Sequence, residues 1–376
     1  MRYYLADKAV LKWLEVPSVY HIERDELYEL DYDSFRFLQN CLSREGQVSK
    51  SGAFIDYCME EGLLTTEPVS VRRPLLKQAP DPSLRYLEMQ ITDSCNLLCR
   101  HCYVKGNAGN ELSPKQIREI LTEFEEMQGL RVLITGGEPL LHRGFDEINE
   151  MLPHFSLRSV LFTNGVLLKK ERLKKLKVNE IQISIDGLEN AHDHTRGVGS
   201  YRAAMDAARM ALDAGFTVSI STMVHKENLA DFNNMEHLFK GMGIKDWTVD
   251  VPCFIGQLRE DKEFYVNPEE GARYLGYGYG GGLHTSGKGY GCGLHLMAVL
   301  ADGRTAKCAF YSNETVGTIA GGLRSSWQKV KPIRLQNLRC DCEFLEICRG
   351  GCRYRAERLE GKGGKDRYRC KFYGIL

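Results

Sequence analysis

The middle of the chain alternates between short apolar runs and longer amphipathic segments. Apolar residues recur at helical spacing in segments such as 113–127, where Pro114 falls in the first turn, and 200–214. Units that repeat a strand and then a helix predict a parallel sheet with crossover helices, and ligands of such folds bind at the carboxyl ends of the strands. The runs that predict strands are residues 86–91, 130–134, 158–163, 180–185, 216–223 and 246–251.

The pattern before residue 65 is different and predicts a small α+β unit. Two strand-like runs, 19–22 and 26–30, flank the polar turn 23–25. Two amphipathic segments with serine or aspartate caps follow and predict helices. They carry Cys41 and Cys58, which are expected to be small buried hydrophobic residues.

Two segments of different composition separate the parts of the chain. Residues 65–83 contain four prolines and predict a linker. Residues 271–293 are rich in glycine but lack the lysine and helix signal of a phosphate-binding loop, and they predict a flexible connector. We therefore expect four parts, at residues 1–66, 67–84, 85–275 and 276–376.

The composition excludes several classes of protein. The chain has 376 residues, of which 43% are hydrophobic and 27% charged, so it can bury a core. Lys+Arg and Asp+Glu both total 50, which gives no electrostatic case for nucleic acid or a membrane surface. No apolar run approaches the roughly 18–20 residues that span a bilayer, and the first residues do not resemble a signal peptide. We expect a cytoplasmic protein without a nucleic-acid or membrane partner.

The cysteines point to metal or redox chemistry. There are 13, and disulfides are rare in the cytoplasm. Cys95, Cys99 and Cys102 are spaced C-x3-C-x2-C, which allows three thiolates to hold a [4Fe–4S] cluster and leaves its fourth iron open. The alternative is a zinc site with His101 as the fourth ligand.

With this motif directly after the strand-like run 86–91, the chain resembles the radical S-adenosylmethionine (SAM) superfamily. The resemblance implies an α/β fold, a partial (β/α)6 TIM-type barrel. It also implies that the methionine end of SAM binds the open iron of the [4Fe–4S] cluster. One electron then cleaves SAM to methionine and a 5′-deoxyadenosyl radical, and a flavodoxin or ferredoxin is the expected reductant.

The resemblance extends to the cofactor contacts of this family. The turn that contains Gly136, Gly137 and Glu138 would meet the amino group of SAM. Arg196 would bind its carboxylate, a role that suits a forked guanidinium. The remaining implied contacts are Ser184 with the ribose and His101 with the adenine. Cys253, after the sixth predicted strand, is a candidate radical or hydrogen-donor residue, and Phe254 beside it is a candidate adenine contact.

The C-terminal cysteines resemble the SPASM extension of radical SAM maturases, which holds two auxiliary iron–sulfur clusters. The chain departs from the family pattern with C-x-C in place of C-x2-C at Cys340 and Cys342. The inner cluster also lacks a fourth cysteine, so it would have an open iron or use His295 or a carboxylate. Two zinc sites are the alternative. By the resemblance, the inner cluster takes Cys292, Cys308 and Cys352, and the outer one takes Cys340, Cys342, Cys348 and Cys370.

Together these features predict a radical SAM maturase of ribosomally made peptides. Residues 1–66 look like the winged-helix element that binds the leader of a precursor peptide by strand addition; a structural cap is the alternative. The expected product is a cross-link, with a thioether favoured if a substrate thiolate binds an open iron, and a carbon–carbon bond otherwise. Alternatives are a sulfatase-type formylglycine maturase, a tetrapyrrole side-chain oxidase and, outside enzymes, a zinc-stabilised binding protein.

Overall fold

A computed structural model describes residues 1–104, 108–259, 262–284 and 287–376 of the chain. The strands are β1 Arg2–Leu5, β2 Ala9–Trp13, β3 Pro17–His21, β4 Glu26–Glu29, β5 Gln47–Val48, β6 Leu64–Thr65, β7 Tyr86–Thr92, β8 Arg131–Gly136, β9 Arg158–Thr163, β10 Glu180–Ser184, β11 Thr217–Met223, β12 Asp246–Asp250, β13 Leu296–Val299, β14 Arg304–Ala306 and β15 Thr315–Thr318. The α-helices are α1 Tyr32–Asn40, α2 Ala53–Glu60, α3 Pro114–Glu126, α4 Phe145–Met151, α5 Lys170–Leu173, α6 Glu189–Arg196, α7 Ser200–Asp213, α8 Phe232–Met242, α9 Pro268–Gly271, α10 Leu323–Lys329, α11 Leu345–Cys348, α12 Arg353–Glu360 and α13 Arg367–Phe372. No helix in the described parts is long and apolar enough to cross a membrane.

Six parallel strands in sequence order, β7 to β12, form the predicted partial barrel. The register is continuous in the middle of the sheet, where Ile181 of β10 lies opposite Leu161 of β9 and Val218 of β11. The β7–β8 pairing shifts between Gln90 and Thr92.

The barrel strands carry apolar residues on the face under the helices, such as Ile181 and Ile183 of β10, while Gln182 and Ser184 of the same strand line the cavity. Apolar and alternating runs of this length are typical of strands. The predicted fold class is confirmed, and each strand lies within two residues of its predicted bounds.

Helix α3 shows how local sequence sets an element of the barrel. Ser113 accepts a hydrogen bond from the Gln116 backbone N–H while the Gln116 side chain accepts from the Ser113 N–H, and Pro114 occupies the first turn. Ile117 and Phe124 are fully buried on its inner face. A capping box and an apolar stripe therefore place this helix against the sheet.

The C-terminal region continues the barrel sheet. Strand β13 pairs in parallel with β7, with Leu296 opposite Tyr86, and β14 and β15 extend the sheet antiparallel. The glycine-rich segment 271–293, of which residues 285–286 lie outside the described parts, is not a free connector. Its Tyr279 exchanges two backbone hydrogen bonds with Trp247 of β12, at 2.8 and 3.0 Å, so the segment is fastened to the opposite edge of the sheet.

The N-terminal unit contains more strands than its sequence pattern indicated. Strand β1 lies between β5 and β6, and β2, β3 and β4 form an antiparallel meander. Helices α1 and α2 pack on these strands, and Cys41 and Cys58 are buried in the shared core. The boundaries of this unit and of the other expected parts stay predictions.

This unit closes the base of the barrel. The turn after β3 places Asp25 in a left-handed conformation (φ 63°), where its carboxylate accepts a hydrogen bond from Arg131 Nε at 2.7 Å. Arg158 donates to the carbonyl oxygens of Ile22 and Glu23, both at 2.8 Å, and pairs with Glu180 at 2.7 Å. Arg131, Arg158 and Glu180 begin three barrel strands, so the turn lies at their amino ends.

Asp25 is therefore held ionised by its surroundings. Burial opposes ionisation, but the hydrogen bond with His284 and the charges of Arg131 and Arg158 lower the pKa of Asp25 below its ordinary value. Removing the whole unit would leave these buried arginines without Asp25, and an unpaired buried charge is costly. A single substitution is consequently a cleaner probe than truncation.

We expect Asp25→Ala to lower the free energy of unfolding by about 3–5 kcal/mol, because the largely buried Arg131 loses its carboxylate partner and the buried Arg158 keeps only Glu180. Chemical denaturation of purified protein measures this, with the exposed Glu45→Ala as the control. The Asp25 contribution is present above the unfolded-state pKa and is lost as pH falls through the lower folded-state pKa, so the gap between variant and parent should close in acid. Equal stability of the two variants at pH 7 would contradict the assignment.

Candidate functional site

The barrel encloses a cavity of about 590 Å³. It extends from the closed base, where Arg131 and Glu180 contribute to its wall, to the carboxyl ends of the strands. Its upper wall includes residues of the cysteine loop, of the β8 turn and of the segment after β12. The predicted site residues in this wall are Cys95, Cys99, His101, Cys102, Gly136, Gly137, Ser184, Arg196 and Cys253.

Backbone contacts hold the loop that carries Cys95, Cys99 and Cys102. The Arg100 N–H donates to the Thr195 carbonyl at 3.0 Å, and the Gln257 N–H donates to the Cys102 carbonyl at 2.9 Å. Burial raises the pKa of Cys99 to about 11. The free thiol therefore keeps its proton at neutral pH, and a bound metal centre would have to displace it.

The donor set fits an iron–sulfur cluster. Three cysteines of one loop face one cavity, and the Leu97 N–H donates to Cys95 Sγ at 3.4 Å, a contact of the kind that tunes cluster thiolates. Within the described residues, no three His, Cys, Asp or Glu side chains are arranged to hold one metal ion. His101, the fourth ligand of the zinc alternative, instead directs Nε2 toward Asp186 at 3.3 Å and Arg196 at 3.2 Å.

The two glycines of the β8 turn are required by the approach of the cysteine loop. A Cβ on Gly136 (φ 153°) would lie 2.2 Å from the Thr92 carbonyl oxygen, and one on Gly137 would lie 2.3 Å from that of Ser94. No side chain fits at either position without moving backbone. The turn and the loop consequently form one packed unit at the cavity wall.

Glu138 has a different place from its neighbours. It is fully buried and is not among the residues of the cavity wall. Its carboxylate accepts hydrogen bonds from the Asn164 N–H at 2.8 Å and the Thr163 hydroxyl at 2.9 Å. Burial raises the pKa of Glu138 to about 7. The side chain fastens the end of β9 to the β8 turn.

Arg196 is oriented by a carboxylate that sequence reasoning did not single out. Its Nε donates to Asp186 at 2.6 Å, and Nη1 has no hydrogen-bond partner among the described residues. Burial opposes ionisation of Asp186, but the charge of Arg196 holds its pKa well below the ordinary range. Burial also lowers the pKa of His101 to about 3, so that ring is neutral. Asp186 stands ten residues before Arg196, at the end of β10, and this strand-end position is the signal that could have identified it.

The inner group of C-terminal cysteines is brought together beside the cavity. Cys308 and Cys352 pack against a small apolar cluster that contains Cys253. The Arg353 N–H donates to Cys292 Sγ at 3.4 Å. Burial raises the pKa of Cys292, and the nearby Cys352 contributes to the shift.

The outer group also converges. Burial raises the pKa of Cys370 to about 11, and the nearby Cys340, Cys348 and Cys342 each contribute to the shift. The Gly350 N–H donates to Cys348 Sγ at 3.4 Å. With C-x-C at Cys340 and Cys342, these thiols still lie near enough to influence one another, and the outer cluster itself stays a prediction.

Two candidates make contacts other than those expected of them. His295 is buried beside the amino ends of the strands, with Nδ1 2.8 Å from the Ser83 carbonyl oxygen, and its backbone carbonyl accepts from the Arg85 N–H. It directly precedes β13 and lies three residues after Cys292, so its place as a ligand of the inner cluster stays a prediction. Phe254 packs on Tyr265 with ring centroids 5.2 Å apart and is not part of the cavity wall.

Comparisons with known proteins agree with this geometry. Residues 89–239 match the model of the radical SAM superfamily. The AdoMet-dependent heme synthase of Oleidesulfovibrio alaskensis is 26% identical over 218 residues, 56% of each chain, and that of Nitratidesulfovibrio vulgaris matches over 48% of its length. The chain thus spans about half the length of these curated relatives. The mycofactocin maturase MftC of Mycolicibacterium smegmatis is 29% identical, covering 71% of this chain and 77% of MftC.

Solved structures share the fold. Streptococcus suis SuiB bound to its precursor peptide SuiA superposes with a TM-score of 0.71 at 16% identity, covering 98% of this chain and 99% of SuiB. The protein anSMEcpe with AdoMet and a peptide superposes with a TM-score of 0.63 at 19% identity, covering 78% of this chain and 96% of anSMEcpe. The domain match, together with the strand-end cavity and the three-cysteine loop, shows that residues 89–239 of this chain form a radical SAM domain.

Proposed function

We propose that this chain is a radical SAM maturase that cross-links a residue of a ribosomally made precursor peptide. One observation carries the proposal. The 590 Å³ cavity is bordered by Cys95, Cys99 and Cys102 on one side and by Cys253 and Phe310, next to the inner cysteine group, on another. A substrate side chain in this cavity would be within reach of both groups.

The residues present suit the implied cofactors. The three loop cysteines would hold the radical cluster, and Cys292 to Cys370 would supply two auxiliary iron–sulfur clusters. When bound, SAM and the reduced [4Fe–4S] cluster would supply the 5′-deoxyadenosyl radical that removes a hydrogen atom from the substrate. A thioether would then require the substrate thiol to lose one proton and the joined product to lose one electron, and an auxiliary cluster would supply the acceptor for that electron.

The chain's own residues would position SAM and exclude water. Arg196, oriented by Asp186, offers Nη1 to a carboxylate, while Ser184 and the neutral His101 line the cavity for the nucleoside. Backbone groups of Gly136 and Gly137 face the same cavity. The closed base leaves the strand carboxyl ends as the side for entry.

The N-terminal unit offers an edge for the leader peptide. Strand β4 is the outer strand of its meander, with no further strand paired to it in the described chain. Leu30 N–H donates to Pro17 O at 2.9 Å, and Tyr28 lies opposite Val19. Since hydrogen-bonded pairs alternate in antiparallel sheets, Tyr28 bonds to β3 while the backbone groups of Leu27 and Glu29 point outward.

A helix borders the same edge. The Tyr28 ring packs edge-on against Tyr57 of α2, with centroids 6.2 Å apart, and Tyr57 is 47% exposed. An added strand would therefore gain backbone hydrogen bonds from β4 and apolar contact from α2, which is the pattern of β-augmentation. The leader of the precursor is the proposed occupant.

The heme synthase relatives support a second candidate, oxidation of a tetrapyrrole side chain. This activity would use the same cavity but would not require an open strand edge on the N-terminal unit. Incubation of the reconstituted enzyme with a precursor peptide or with an iron coproporphyrin, followed by mass spectrometry, separates the two. The reductant, flavodoxin or ferredoxin, and a cytoplasmic location stay predictions.

Replacing Cys95, Cys99 and Cys102 together with Ala should abolish release of 5′-deoxyadenosine, because the radical cluster loses all its protein ligands. The C-terminal irons should remain bound, as their ligands are separate. Iron and sulfide analysis and a deoxyadenosine assay measure both effects, and Cys58→Ala, in the N-terminal core, is the control. Undiminished deoxyadenosine release from the triple variant would refute this role of the loop.

Arg196→Ala should weaken SAM binding about tenfold or more, since a charge-assisted contact is worth about 1.5–3 kcal/mol. Equilibrium dialysis against labelled SAM measures the affinity. The control is Arg202→Ala, which removes an exposed arginine at the third residue of α7. This variant should bind SAM normally. If a folded Arg196→Ala protein binds SAM like Arg202→Ala, Arg196 serves only to pair with Asp186.

Glu29→Pro should weaken leader binding about threefold to tenfold, because it removes one outward N–H donor from the edge strand without touching the β3 ladder. Glu29→Ala keeps that N–H and is the matched control. Anisotropy of a fluorescent leader peptide measures the affinity, and substrate-independent SAM cleavage should be equal in both. Equal leader affinity of the two variants would show that β4 is not the docking edge.

A further inference from the structure

Cys253 lies between the two groups of cysteines that the proposed function uses. It follows β12 on a segment that also forms part of the cavity wall. Four residues later, the Gln257 N–H donates to the Cys102 carbonyl at 2.9 Å. A Cβ on the intervening Gly256 (φ 61°) would lie 2.2 Å from that same carbonyl oxygen. The position of Cys253 is thus fixed relative to the cysteine loop.

The Cys253 thiol contacts the thiol of Cys352. Their Sγ atoms are 3.9 Å apart, well beyond the roughly 2.05 Å of a disulfide. Both, together with Cys308, belong to one apolar cluster built around Ile255 and Tyr354. The buried thiol of Cys253 and the partly buried thiols of Cys308 and Cys352 thus come from three separate chain segments and pack in one cluster.

A buried cation stands beside this pair. Arg355 Nη1 lies 3.8 Å from Cys253 Sγ and donates to the Val251 carbonyl at 3.2 Å. Its other nitrogens bind Asp366, which also accepts the Cys352 N–H at 2.8 Å. Arg355 and Asp366 thus hold the backbone of both segments that carry the two thiols.

We propose that Cys253 is the fourth protein ligand of the inner auxiliary cluster, beside Cys292, Cys308 and Cys352. The inference rests on the auxiliary clusters of the proposed function. With Cys253 as the fourth ligand, the inner cluster would have no open iron and would not need His295, the two alternatives that the spacing of the C-terminal cysteines leaves. The hydrogen-donor role of Cys253 is the competing assignment.

Full ligation has a consequence for the reaction. A substrate thiol in the cavity would find no vacant iron on the inner cluster, so a thioether would no longer be favoured over a carbon–carbon bond on that ground. The inner cluster would act as an electron acceptor in the cavity wall. Ligation by Cys253 would then place the inner cluster on the side of the cavity nearest the cysteine loop.

The experiment uses full-length protein with Cys95, Cys99 and Cys102 replaced by Ala, so that only the C-terminal clusters contribute. Two [4Fe–4S] clusters correspond to roughly eight irons per chain. Adding Cys253→Ala should lower iron and sulfide toward roughly four each, or keep them with a changed EPR spectrum of the dithionite-reduced protein. Cys58→Ala in the same background should change neither quantity.

Two further measurements keep the result independent of a folding defect. Cys253→Ser, which keeps an oxygen ligand, should retain the iron with shifted g-values. Added 2-mercaptoethanol should shift the EPR spectrum of Cys253→Ala, because a vacated iron would face the cavity, and should leave the background protein unchanged. Cys352→Ala should lose as much iron as the Cys253/Cys352 double variant, as expected for two ligands of one cluster.

Unchanged iron, sulfide and EPR spectrum in Cys253→Ala would overturn the ligand assignment. Loss of peptide product from that variant in otherwise intact enzyme would then indicate the hydrogen-donor role. A background protein without iron would overturn the auxiliary clusters and the ligand assignment together. If Cys253→Ala loses the cluster while the intact enzyme leaves the precursor unmodified, the ligand assignment stands and the proposed peptide function fails.

Discussion

The candidate site depends on one constraint, the close approach of three backbone segments at the mouth of the barrel. The β8 turn donates the Gly137 N–H to Thr92 O at 2.9 Å and the Glu138 N–H to Ser94 O at 2.8 Å. On the other side, Gly256 lies so near the Cys102 carbonyl oxygen that a Cβ at this position would be 2.2 Å from it. A loop without regular secondary structure is thereby held at both ends by contacts that exclude any side chain, and its three thiols share one cavity.

Buried charges define the two ends of that cavity. At the base, Asp25 of the N-terminal unit neutralises Arg131 at the start of β8, and Arg158 pairs with Glu180. At the mouth, Asp186 orients Arg196. In a medium of low polarity, each of these pairs is costly to break from one side only. Paired buried charges thus close the base of the barrel and, at its mouth, orient the guanidinium of Arg196.

The N-terminal and C-terminal parts are therefore joined to the barrel by specific contacts. The C-terminal part supplies β13 to the barrel sheet, and the glycine-rich segment is bonded to β12 through Tyr279. These connections place the inner cysteine group next to the cavity. They also explain why composition alone, which indicated linkers at residues 65–83 and 271–293, understated how closely the parts are connected.

The sequence by itself determined the barrel strands and the cysteine motif, because both are local patterns. Each barrel strand is a short run of apolar residues or of alternating apolar and polar residues, and C-x3-C-x2-C is contained in one loop. It did not reveal β1, whose partners Gln47 and Leu64 are more than forty residues away, nor the pairing of Asp186 with Arg196. Only the tertiary structure placed His295 Nδ1 at the Ser83 carbonyl and brought Cys253 to Cys352. Such contacts depend on which distant segments pack together, and this cannot be read from the spacing of residues along the chain.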